Sequence, residues 1–114
     1  MTYEITFAED AERDFELIFD FLIESYTGFG EAIDDAISHA RSRLIDIHRD
    51  ICDLANAPYR GTLHTDILPD LRHVTIGRTI VWFDIIEQSR TVRILAVFYG
   101  GQDHVRHMLT RLLQ

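Results

Sequence analysis

Apolar residues recur along this chain in two rhythms. Up to Leu54 they fall at steps of three and four; from Leu71 to Tyr99 they alternate. Tyr3–Phe7 opens the chain with a short β-type alternation and predicts a first strand. Ala8, Ala11, Phe15, Ile18, Phe19, Leu22 and Tyr26 then make one stripe of an amphipathic helix, and Thr6-Phe7-Ala8-Glu9 has the spacing of a capping box at its start. Asp10, Arg13, Asp14, Asp20 and Glu24 fall off that stripe and are expected to face water. Leu17 and Phe21 also fall off it, yet they are apolar, so either the buried face is wide or part of it is left for a partner.

Thr27-Gly28-Phe29-Gly30 predicts a turn. A second helix follows from Glu31 to Ala55, with Ile33, Ala36, Ile37, Ala40, Leu44, Ile47, Ile51 and Leu54 as its apolar stripe. So short a turn forces the two helices to run antiparallel and pack on each other. Asn56-Ala57-Pro58 ends the pair, because proline cannot continue a helix. Tyr59–Asp70 reads as an irregular connection, long enough to touch function.

Leu71–Ile76, Thr79–Glu87 and Thr91–Tyr99 read as three strands. They are joined by a tight Gly77-Arg78 turn and by Gln88-Ser89-Arg90. The nearly continuous apolar run Ile94–Tyr99 suggests a central strand covered on both faces. Gly100-Gly101 breaks it, and Asp103 can cap a last short helix, His104 to Leu113. The order β-α-α-β-β-β-α predicts one α+β domain over residues 1–114, a helical hairpin laid on a mainly antiparallel sheet in two layers. The pattern does not say where the first strand pairs.

Charge adds a polarity to this plan. Of 114 residues, 19 are acidic and 11 basic, a net charge of −8. Fourteen of the acids lie in residues 1–60, every base is arginine, and the later half is close to neutral. The acidic first half repels phosphate, so any anionic partner must meet the second half, and direct nucleic-acid binding is not expected. The lone cysteine, Cys52, allows no internal disulfide and falls in a helical apolar pattern. No apolar run approaches the ~20 residues of a membrane span, and MTYEITFAED lacks a signal-peptide pattern, so a cytoplasmic protein away from membranes is expected. No glycine-rich phosphate loop or nucleophile elbow is present, and no cofactor or metal is called for. His104 and His107 stand three apart on the last helix, where unliganded histidines are the simpler reading.

Several stretches carry a resemblance to a known family. They are the alanine-containing first helix AEDAERDFELIFDFL, the elbow LANAPYRG, the segment DILPDLRHVTIG in which Leu-Arg opens a strand, the strand TIVWFDI, and the closing VRILAVFYGGQD. Taken in order, they resemble the ParE/RelE toxin superfamily over essentially the whole chain. The resemblance implies the toxin half of a type II (plasmid stabilisation) toxin–antitoxin module, neutralised by a ParD-like cognate antitoxin. ParE-like members are associated with DNA gyrase and act by binding; RelE-like members are ribosome-dependent mRNA endonucleases.

On the ParE-like reading, the contacts to a target fall to Arg72, Arg78, Arg93 and His104, and those to the antitoxin to Leu17, Phe21 and Trp82. Arg72 stands at the Leu-Arg position, where it either meets an anion or braces the strand against an acid of the long loop. Arg78 suits a hairpin tip, and Trp82 belongs to the core or to the antitoxin contact. On the RelE-like reading, Arg72, Arg93 and Tyr99 are the reactive set, although Tyr99 equally ends a core run. The missing lysines and the acidic charge favour the ParE-like branch. A degenerate relative that has lost toxicity is a third reading.

Overall fold

A computed structural model describes residues 2–100 and 103–113. Strand β1 (Glu4–Phe7) leads into helix α1 (Glu9–Gly28), and α2 (Ile33–Cys52) returns antiparallel and ends in a 3-10 turn, Asp53–Ala55. The expected capping box is not formed. Thr6 belongs to β1, and Ala8 stands at the N-cap without a side-chain bond. The acids Glu9, Asp10 and Glu12 in the first turn instead place negative charge at the positive end of the helix dipole. Ala36 and Ala40, both fully buried, allow the two helices to approach closely. Ile33, expected on the buried stripe, is the first residue of α2 and is more than half exposed.

The connection after Pro58 contains a two-residue strand, β2 (Thr62–Leu63), too short to show in the apolar pattern. Strands β3 (Arg72–Ile76), β4 (Thr79–Ile86) and β5 (Thr91–Tyr99) form the expected antiparallel meander, and helix α3 (His104–Leu112) ends it. Gly77 takes a φ of 61° at the first position of the β3–β4 turn, a conformation open to glycine at little cost. The sheet order is β1-β5-β4-β3-β2. The first strand, whose partner the sequence left open, pairs parallel to β5 with Glu4 opposite Thr91.

β5 is therefore central, and both of its faces are covered. Val92, Ile94 and Val97, together with Val81, Phe83 and Ile85 of β4, pack under the helical hairpin. Trp82 and Ile80 of β4 and Ala96 of β5 pack under Met108 of α3, with Leu71 completing this second core. The register shifts by one residue where Trp82 faces Ala96 while Phe83 faces Ile94, which leaves Leu95 as a bulge. Alternation alone lets the apolar run serve two cores, and the extra residue exchanges the two faces midway along it. Strict alternation would place Ile94 and Ala96 on the same face, whereas here they lie on opposite ones. Among the described residues no helix is long and apolar enough to cross a membrane.

Candidate functional site

A groove of about 350 Å³ lies between α1, the end of β5 and α3. Its floor is set by a charge that the apolar pattern placed in water. Asp14 is only 2% exposed. β1 ends opposite Ile94, so the Val97 N–H three residues further on has no strand on that side; it donates to Asp14 Oδ2 at 2.8 Å. Arg111 of α3 then forks onto the same carboxylate, Nη1 to Oδ2 at 2.8 Å and Nη2 to Oδ1 at 2.5 Å. This two-bond geometry is the strong form of an ion pair. Asp14 raises the guanidinium pKa further above its ordinary value, through the hydrogen bond first, against an opposing effect of burial. Arg111 also lies over the Phe98 ring, 4.9 Å from its centre.

Above this floor the groove is apolar. Leu17 and Phe21, one helical turn apart on α1, are 63% and 52% exposed. Phe21 meets Tyr99 at a ring separation of 6.0 Å, and Phe98 meets His107 at 5.9 Å. The tip of the β3–β4 turn reaches the same end, with the exposed Arg78 guanidinium 5.6 Å from the centre of the Tyr99 ring. Leu17, Phe21, Tyr99 and Arg78, separate in the sequence, are thus neighbours.

The remaining sequence-derived residues are distributed differently. Trp82 is 0% exposed, wedged in the second core beneath α3, so in this conformation it offers no surface to an antitoxin. Arg93 is committed to Asp84, its cross-strand partner, with contacts of 3.1 and 2.6 Å that raise its pKa and leave its charge balanced. His104 turns inward: its Nδ1 accepts the Trp82 indole N–H at 3.1 Å, and its ring stands 4.7 Å from that of His73. His104 and His107 therefore diverge, one into the second core and the other into the groove.

Arg72 is half-buried over Tyr59, 5.3 Å from the ring centre, and among the described residues it makes no salt bridge, so the loop-acid brace is not formed. Tyr59 is itself held by Glu87, which also accepts the Tyr3 hydroxyl at 3.0 Å. The Glu87 hydrogen bond is the main reason the Tyr59 phenol is pushed up to about 12, and the two phenols hold Glu87 below its usual range. Cys52 is half-buried, and burial raises its thiol pKa, with the charge of Asp53 adding to the effect.

Arg72, Arg93 and Tyr99 are not drawn into contact with one another. Arg93 and Tyr99 are six positions apart on β5, roughly 20 Å at the strand rise. Tyr99 packs toward the helical hairpin, whereas Arg93 and Asp84 lie on the opposite face, out of step with Ile94 and Phe83.

Neither a family model nor a curated protein matches this sequence. Solved structures do match it. A chain in the structure of the chromosomal ParDE TA system from P. aeruginosa superposes with a TM-score of 0.65 at 15% identity, covering 88% of this chain and 98% of that one. The RelBE2 toxin–antitoxin complex from Mycobacterium tuberculosis gives a TM-score of 0.55 at 18% identity, over 90% of this chain and 95% of the other. A mutant of E. coli toxin RelE in the free state gives a TM-score of 0.55 at 12% identity, with all of both chains covered. Its helical hairpin, meander and parallel first strand give this chain the fold of the ParE/RelE toxins.

Proposed function

We propose that this chain is the toxin of a type II toxin–antitoxin module, acting in the ParE manner by binding a protein target, and that its antitoxin occupies the groove beside Leu17 and Phe21. The observation that carries the reading is the exposure of those two side chains next to Phe98 and Tyr99, on a helix whose other outward positions are largely acidic. Two large apolar groups left in water at the edge of a groove are the usual anchors of a docked segment. The shared fold supports the same assignment.

The target is engaged by the arginines that no acid neutralises. Arg78 at the turn tip and Arg72 over Tyr59 meet that condition; Arg93 does not, and His104 is turned away. DNA gyrase is the target the ParE resemblance suggests. The dispersal of Arg72, Arg93 and Tyr99 favours binding over RNA cleavage.

The test is expression of the chain alone in bacteria and together with the product of an adjoining small reading frame. Growth arrest is expected only without that product, with loss of gyrase supercoiling activity. Ribosome-dependent mRNA cuts in place of supercoiling loss overturn the ParE-like reading, and no arrest at all points to a degenerate relative. Arg78→Ala with Arg72→Ala is expected to relieve the arrest while changing stability by less than about 1 kcal/mol, since neither side chain pairs with a buried charge. Leu17→Ala with Phe21→Ala should leave the toxin folded and weaken antitoxin binding by at least about tenfold, measurable by calorimetry.

A further inference from the structure

We propose that His64, His73 and His104, gathered on the ring of Trp82, form a proton-operated latch that holds the first half of α3 against the sheet when neutral and releases it when protonated. The three imidazoles come from three separate places: the residue after β2, β3 and the start of α3. Their rings lie 4.7, 5.0 and 5.6 Å from that of Trp82. His64 Nε2 and His73 Nδ1 are 2.6 Å apart, so one must carry the proton and the other accept it. His104 Nδ1 must be unprotonated, because it accepts from the indole N–H of a tryptophan with no exposed surface. The neutral state therefore satisfies both the imidazole–imidazole and the indole–imidazole contact. Protonating His104 sets N–H against N–H at the indole contact and leaves that donor buried without an acceptor, and a charge on His73 as well adds like charges on rings 4.7 Å apart.

The groups facing the cluster give little relief. Asp103 of α3 favours the charged form of His104. β4 supplies Trp82, and the neighbouring core residues Leu71, Ile80, Ala96 and Met108 are apolar. Burial, followed by the other histidines, lowers the pKa of His73; burial and His64 lower that of His104. The released form thus binds protons more readily than the closed one. Docking is at full strength above the ordinary imidazole value of ~6.5 and is lost as the pH falls through the lowered closed-state values. At the far end of the helix, Arg111 on Asp14 remains as a tether, so release uncovers Trp82 without dismantling the domain.

Trp82 is the only tryptophan, which makes the test direct. The full chain is titrated from about pH 8 to about pH 5, a span that crosses the imidazole range. The emission maximum is expected to move to the red and acrylamide quenching to rise several-fold, reversibly, while far-UV circular dichroism keeps its sheet signal. His73→Asn combined with His104→Asn supplies non-titrating oxygens near the Nδ1 positions and is expected to abolish the transition. As a check needing no variant, the Trp82 indole proton should lose its protection from solvent exchange in acid, although exchange chemistry itself slows there. Emission and indole protection unchanged down to about pH 5, or an identical transition in a folded double variant, overturn the latch.

Discussion

Asp14→Ala is expected to lower the thermal midpoint by about 12 °C, from a loss of about 3 kcal/mol. The substitution removes an acceptor used three times. Val97 N–H is left buried and unpaired, and Arg111 loses both of its charge-assisted bonds. Removing one partner of a buried pair costs more than the pair is worth, because the surviving charge stays desolvated. Arg111 retains about a quarter of its side-chain exposure, which holds the expected loss at the low end of that range. Asp14→Asn keeps an oxygen for Val97 and should lose less. Asp14→Leu with Arg111→Leu removes both charges and should lose less than the two single changes added together. Thermal unfolding followed by circular dichroism measures all of these, and additive losses in the double variant rule out the coupling.

Gly61→Ala should be nearly as severe, at about 2–3 kcal/mol, for a purely geometric reason. Gly61 has a φ of 84°, and a Cβ built there falls 2.1 Å from the His73 carbonyl oxygen. That oxygen belongs to the backbone of β3 and cannot swing aside. The loop must lift instead, taking with it β2 and His64, the neighbour of His73. A midpoint about 10 °C lower, with amide exchange accelerated first around Thr62–His64, is the expected signature. An unchanged midpoint means the loop has no need of that approach.

The alternation and its change of period were enough to place three helices and the meander, because long amphipathic stretches state their own geometry. The central place of β5 was legible in the run from Ile94 to Tyr99. Its bulge was not, since nothing in Ile-Leu-Ala-Val marks which residue is the extra one. The partner of β1 also escaped, because four residues with one apolar side fit either sheet edge. Asp14 was misplaced by its charge, although the signal was present: it lies three residues after Ala11 and four before Ile18, in step with the buried stripe. Recognising it required its partner, and Arg111 lies almost a hundred residues away. At the groove, the apolar character of Leu17 and Phe21 was read from spacing alone, whereas their meeting with Tyr99 needed the fold. Trp82 and Arg93 went the other way, since strand position does not reveal an overlying helix or a cross-strand acid.

The parallel seam between β1 and β5 has a consequence for the order of synthesis. Among the described residues β5 is the last strand to leave the ribosome, and β1 reaches the meander only through it. Until it emerges, the helical hairpin has no complete surface to lie on, and its apolar stripe stays open to other chains. The nascent protein therefore passes most of its translation unable to close, and closure waits on contacts between positions more than eighty residues apart, a connectivity that slows folding and favours association with whatever is nearby.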